Sequence, residues 1–119
     1  MYENNILLEK SYRFAIRIVK LFKHFSKEKN AMVLSNQILK SGTSIGANLE
    51  EAVGAQSRKD FLSKIYISYK ETRETYYWIR LLRDTDYLTK NEANSLIKDC
   101  EELLKLLGKS ISTIKKNNS

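Results

Sequence analysis

The chain has 119 residues, a formal net charge of +7, one cysteine, four glycines and no proline. That length suits one domain with one core, and so few turn-forming residues argue against β-sandwich and α/β architectures, while the lack of proline permits long uninterrupted helices. A lone cysteine, Cys100, excludes an internal disulfide framework and predicts a reducing compartment.

The first helix is predicted from about Asn5 to Phe25. Leu7, Phe14, Ile18, Leu21 and Phe25 form one apolar stripe, and Leu8, Tyr12, Ala15, Val19 and Phe22 form a second beside it. Together they cover about half the circumference, wider than the ~100° that a surface helix needs. The other half carries Lys10, Arg13, Arg17, Lys20, His24 and Lys27 at steps of three and four. Such a basic stripe is either a solvated face or a surface that tracks phosphates over ~25 Å, at ~1.5 Å rise per residue.

Ser26 to Asn30 reads as a polar connector, and a second helix follows from about Ala31 to Ala55. Leu34, Ile38, Ile45, Leu49, Ala52 and Val53 are its apolar stripe. Gln37, Ser41, Ser44, Asn48 and Glu51 run directly beside it at steps of four, three, four and three, the spacing of a seam facing another helix. Gly42 and Gly46 lie inside this helix, where each costs ~1 kcal/mol against Ala. Close approach of a neighbouring backbone would offset that cost. A phosphate loop at Gly42-Thr-Ser-Ile-Gly46 is excluded by context, because no strand precedes it and no Gly-Lys-Ser/Thr ends it.

Ser57-Arg-Lys-Asp60 has the spacing of a helix N-cap, so a third helix is predicted from there to about Arg83. Phe61, Leu62, Ile65, Tyr69, Thr72, Tyr76 and Ile79 are its expected core stripe. Ile67, Glu71, Glu74 and Trp78 form a second seam with Leu81 beside it, so the helix carries apolar groups on two sides. Burial on two sides in a small bundle calls for a partner subunit. Asp84 to Leu88 is a connector, and Thr89-Lys-Asn-Glu92 is a capping box in sequence form. The fourth helix places Ala93, Leu96, Ile97, Cys100, Leu103, Leu104, Leu107, Ile111 and Ile114 at helical spacing, and 115–119 is predicted to be a frayed tail.

Four amphipathic helices with short connections predict an all-α, antiparallel up-down-up-down four-helix bundle forming a single domain over residues 1–119. No apolar run approaches the ~20 residues of a membrane span, and Met1-Tyr-Glu-Asn-Asn5 lacks the basic start and apolar core of a signal peptide. A cytoplasmic protein with no membrane partner is therefore expected.

The sequence offers no catalytic, cofactor-binding or metal-binding set. A di-iron bundle needs Glu-x-x-His motifs on facing helices, and His24 is the one histidine. Cys100 sits on an apolar stripe, where cysteine is a small core residue. Glu51, Glu71 and Glu74 could act as a general acid–base set. The structural reading is stronger: with Ser41, Ser44, Asn48 and Trp78, and with Lys64 or Arg73 nearby, they would form a network that fixes helix register or subunit pairing.

Ser41-Gly-Thr-Ser44-Ile-Gly-Ala-Asn48, then Glu51-Ala52, Lys59-Asp60-Phe61, Lys70-Glu71, Glu74-Thr75 and Tyr77-Trp78 resemble the bacterial four-helix bundle proteins related to the 23S rRNA intervening-sequence protein. The resemblance covers nearly the whole chain. Relatives include the basic accessory protein of diversity-generating retroelements, which works with a reverse transcriptase and nucleic acid. The resemblance implies a ring-like homopentamer and brings no catalytic residues with it. Two functions are then expected to compete. One is a homo-oligomeric scaffold that binds RNA or DNA without sequence preference through Lys10, Arg13, Arg17, Lys20 and Lys27. The other is a protein-binding adaptor whose basic stripe is solvated surface.

Overall fold

The computed structural model describes residues 2–25 and 31–118 and consists of four α-helices, α1 (Tyr2–Phe25), α2 (Met32–Val53), α3 (Arg58–Asp84) and α4 (Lys90–Asn118). Contacts between helices give their directions. Gly42 meets Ile18 while Gly46 meets Ser11, so α1 and α2 are antiparallel. Ser68 reaches the carbonyl of Ile45 and Thr75 reaches Ser41, which makes α2 and α3 antiparallel. Arg83 bonds Asn94 and Lys115 covers Tyr66, so α4 runs back along α3. Lys10 pairs with Glu102 and Arg17 with Asp99, closing the ring of helices through a sparser α1–α4 contact. The expected up-down-up-down bundle results, with extents of 48 × 22 × 19 Å.

All four helices supply the core: Phe14 and Ile18 from α1, Ile38 and Ile45 from α2, Ile65 and Ile79 from α3, and Cys100, Leu103 and Leu107 from α4. The predicted stops and starts form. α2 ends at Val53, where the Gly54 N–H donates to the Glu51 carbonyl and the Ala55 N–H to the Ala52 carbonyl, both at 3.1 Å. The Ser57 hydroxyl accepts from the Asp60 N–H at 3.0 Å. Thr89 and Glu92 make the reciprocal capping box, 3.1 Å in one direction and 3.3 Å in the other. In the α3–α4 turn Asp86 adopts φ 67°, a left-handed position that Asp tolerates better than most side chains.

Three differences from the sequence-based expectation have physical causes. α4 stays helical to Asn118 instead of fraying after Ile114, because Ile111 is buried, Ile114 is half-buried and the Lys115 ammonium sits 5.2 Å above the Tyr66 ring. Val53 is 64% exposed, since it follows the core-facing Ala52 and is therefore turned ~100° away. The fully buried line of α3 is Ile65, Ser68, Thr72, Thr75, Ile79 and Leu82. Phe61, Leu62, Tyr69 and Tyr76, expected in the core, flank that line half-buried.

The two helical glycines are where α1 and α2 come closest. A Cβ built on Gly42 would lie 2.8 and 2.9 Å from the two γ carbons of Ile18, and one on Gly46 would lie 3.3 Å from the Ser11 hydroxyl and 3.6 Å from the Ser11 carbonyl carbon. Ile18 is fully buried and β-branched, so it cannot swing aside. Gly42→Ala should therefore lose about 1–3 kcal/mol to overpacking, less the ~1 kcal/mol that Ala gains in helix propensity. Gly46→Ala, with its milder contact, should be close to neutral. Urea denaturation of both variants checks this, and the Gly42 variant should be clearly the less stable.

Candidate interaction surfaces

Helix periodicity places the α1 cations on one side, but α4 answers two of them, Lys10 and Arg17, with carboxylates. Lys10 pairs with Glu102. The Arg17 guanidinium donates to Asp99 at 2.6 Å and to the Ser95 hydroxyl at 3.0 Å. Arg13 pairs with Glu9 on its own helix. Between α1 and α4 these groups line a groove of about 240 Å³ with Phe14 and Leu103 at its base. Lys20 is exposed and borders a second groove with Arg17, Leu21, His24, Glu92 and Leu96. Lys27 lies outside the described residues. The predicted stripe is thus one face, but Lys10 and Arg17 serve as ties between helices.

The polar seam on α2 divides in two. Ser41 is fully buried and faces α3, where Thr75 donates to it at 2.9 Å. Ser68 donates to the Ile45 carbonyl at 3.0 Å, and Thr72 back-bonds to the Ser68 carbonyl at 2.7 Å. Small hydroxyls therefore line the α2–α3 contact, each satisfied, which lets two helices pack closely without an orphaned polar atom. Ser68 and Thr75 were not singled out by the sequence pattern, although Ser68, Thr72 and Thr75 repeat at the same steps of four and three that marked Ser41, Ser44 and Asn48.

The outer half of the seam is local. Ser44 donates to the Lys40 carbonyl at 2.6 Å and Asn48 to the Ser44 carbonyl at 2.8 Å. Glu51 takes a salt bridge from Lys64 at 3.0 Å. Trp78 Nε1 donates to Glu74 at 3.1 Å. Among the described residues Asn48 and Glu51 make no hydrogen bond to Glu71 or Glu74, so no single network joins the two predicted seams within one chain. Glu71, half-buried against α2, has its carboxyl pushed above the usual range by burial and then by the Glu74 charge, with Lys40 and Lys70 opposing.

Exposed large apolar side chains are unevenly placed. Tyr12, Ile16 and Val19 lie on α1 and Met32, Val33 and Val53 on α2, with Tyr77 the one example on α3. Tyr12 stands at a shallow groove of about 250 Å³ whose α2 wall is made of Thr43, Gly46, Ala47 and Glu50. The outer face of α3 instead carries Lys59, Lys70, Arg73 and Arg80, all exposed. Cys100 is buried and its thiol is pushed up to about 12, chiefly by desolvation, which leaves it no thiolate at neutral pH. Among the described residues no group of three His, Cys, Asp or Glu side chains is arranged to hold a metal ion, and no helix is long and apolar enough to cross a membrane.

A sequence model of the family described as 23S rRNA-intervening sequence protein matches residues 3–109. Among solved structures, the chain is similar to a protein of unknown function from the S23 ribosomal protein family of Bacteroides thetaiotaomicron. The two are 49% identical with a TM-score of 0.87, over 95% of this chain and 98% of that one. No curated protein matches.

The raised Glu71 pKa has a definite sign for stability. Above the ordinary value of 4.5 the unfolded chain ionises Glu71 more readily than the folded one, so stability falls as pH rises through the window between 4.5 and the folded pKa. Below that window the carboxyl is neutral in both states and the cost vanishes. Glu71→Gln should therefore melt at a higher temperature than the parent at neutral pH and at the same temperature well below 4.5. Thermal denaturation followed by circular dichroism across pH checks both limbs.

Proposed function

Because this chain belongs to the 23S rRNA-intervening sequence protein family, we propose that it acts as a non-enzymatic, homo-oligomeric scaffold in the cytoplasm that holds RNA or DNA without reading its sequence. The observation that carries the assembly is the apolar outer face of α1. Tyr12 is 67% exposed and Ile16 41%, and Tyr12 lines a groove whose α2 wall is Thr43, Gly46, Ala47 and Glu50. A second copy of the chain can fill that groove with its own side chains and cover Tyr12, Ile16 and Val19. A ring of five copies is the assembly implied by the family resemblance. A repeated, closed arrangement would also present every cationic face several times, so weak contacts to a polyanion add by avidity.

The nucleic-acid part of the proposal draws on the net charge of +7. It also draws on the names of the family and of the Bacteroides relative, which refer to 23S rRNA and to ribosomal protein. On α1 the exposed Arg13 and Lys20 face outward, Lys27 continues the stripe in sequence, and Lys10 and Arg17 reach a phosphate by exchanging their α4 carboxylates for it. The two ties to α4 favour a second reading, a protein-binding adaptor with no nucleic-acid role, in which the α1 cations hold the bundle together.

Assembly is tested by light scattering. The parent should run as a multiple of 13.9 kDa at micromolar concentration, and Ile16→Glu should keep its helical circular dichroism but fall toward the monomer. A parent protein that scatters as a 13.9 kDa monomer would rule out the scaffold.

A further inference from the structure

We propose that the outer face of α3 is a contact surface for single-stranded nucleic acid, with Lys59, Lys70, Arg73 and Arg80 meeting phosphates and Tyr77 stacking on a base. The inference rests on the nucleic-acid reading above and moves its principal site from α1 to α3. Lys59, Ser63, Tyr66, Lys70, Arg73, Tyr77 and Arg80 follow one another at steps of four and three, so they form one line along the helix. At ~1.5 Å per residue that line is ~32 Å long. Lys59, Lys70, Arg73, Tyr77 and Arg80 are exposed along it.

What sets this line apart from the α1 stripe is where the carboxylates go. Among the described residues none of its four cations is in a salt bridge, whereas Lys10, Arg13 and Arg17 of α1 all are. The acids of α3 are engaged elsewhere. Asp84 is bound by Arg83 at 2.9 Å, Glu74 accepts from Trp78, Asp60 accepts from the Gln56 N–H at 3.3 Å, and Glu71 is half-buried against α2. On α4, Asp99 and Glu102 are taken by α1 and Glu92 is held in its capping box by Thr89, which leaves Glu101 exposed with no salt bridge among the described residues. Ion pairs thus engage Lys10, Arg13 and Arg17 on α1, while the four cations of α3 stay open to solvent.

Aromatic rings are interleaved with these cations. Tyr77 is 49% exposed and is braced edge-on by Trp78, with centroids 5.0 Å apart at 72°. A propped, exposed ring between Arg73 and Arg80 is a stacking platform of the kind that binds unpaired bases. Tyr66 and Tyr76 lie beneath cations, Lys115 at 5.2 Å and Arg80 at 4.7 Å, so positive charge also sits over these two flat surfaces. Paired bases are not free to stack on a side chain, so this arrangement favours a single strand over a duplex. A poly-glutamate peptide would be drawn by the same charge but has no ring for Tyr77 to meet.

Fluorescence anisotropy with labelled single-stranded RNA of mixed sequence, the matching duplex and a poly-glutamate peptide tests the proposal on the full-length protein. Circular dichroism and light scattering confirm that each variant keeps its fold and assembly. The parent should bind the single strand more tightly than the duplex or the peptide. Its affinity should fall steeply with salt, with a logarithmic slope of ~0.7 for each phosphate that the protein neutralises. Lys70→Glu with Arg73→Glu should weaken binding at least about tenfold and flatten that slope, and Tyr77→Ala should weaken it about fivefold or more. Arg13→Glu with Lys20→Glu should have the smaller effect. Loss of binding in the α1 variant with the α3 variant unaffected would overturn this inference and leave the nucleic-acid function standing. Equal binding of single strand and duplex with no effect of Tyr77→Ala would overturn it also. No binding of any nucleic acid at low salt would remove the nucleic-acid function, and the inference with it.

Discussion

Everything in this bundle depends on how closely α2 lets its two neighbours approach. Its α1-facing side has no side chain at Gly42 or Gly46, so Ile18 and Ser11 come within a distance that a methyl group would occupy. Its α3-facing side carries Ser41 and an Ile45 carbonyl that receive hydroxyls from Thr75 and Ser68. Gly42, Gly46 and the serines of α2 lower its helix propensity and bury little apolar area. The helix is stable because van der Waals contact on the α1 flank and hydroxyl bonds on the α3 flank replace what larger side chains would have supplied. With α1 held this tightly, the width of its apolar face exceeds what α2 and α4 can cover, and Tyr12, Ile16 and Val19 are left outside.

Charge is distributed by the same geometry. α1 meets α4 more sparsely than the other neighbouring pairs meet, and the gap is bridged by long side chains, Lys10 to Glu102 and Arg17 to Asp99. These pairs are about 40% exposed, so each contributes little to stability on its own. Their larger effect is to use up anionic partners on α4 and cationic ones on α1. The outer face of α3 keeps its cations, because its acids are held by Arg83, Trp78 and backbone N–H groups. The molecule therefore has an apolar side at α1–α2 and a cationic side on α3.

Helix number, the capping residues at Ser57 and Thr89, and most of the core were legible in the sequence, because period and capping are local signals. The close approach at Gly42 was legible too, since a glycine inside a strong helical pattern asks for a packing reason. The partners of polar residues were not. Spacing puts Asn48 and Glu51 on one line but cannot say that Asn48 turns back to its own helix while Glu51 crosses to Lys64. In the same way the α1 cations look free when read along one helix, and only the antiparallel packing of α4 brings Glu102 and Asp99 against them. Ser68 and Thr75 were hidden because hydroxyls on a buried line break the apolar pattern by which core residues are recognised.

The division of the surface into an assembling side and an open side is the central claim, and side-chain footprinting tests it most directly. Hydroxyl-radical labelling of the intact protein, read by mass spectrometry over a dilution series, reports the solvent access of each side chain as copies come together. Tyr12, Ile16 and Val19 should become protected as concentration rises, while Tyr77 stays as reactive as its 49% exposure implies. Protection of Tyr77 with Tyr12 and Ile16 unchanged would contradict the division and put the contact between copies on α3.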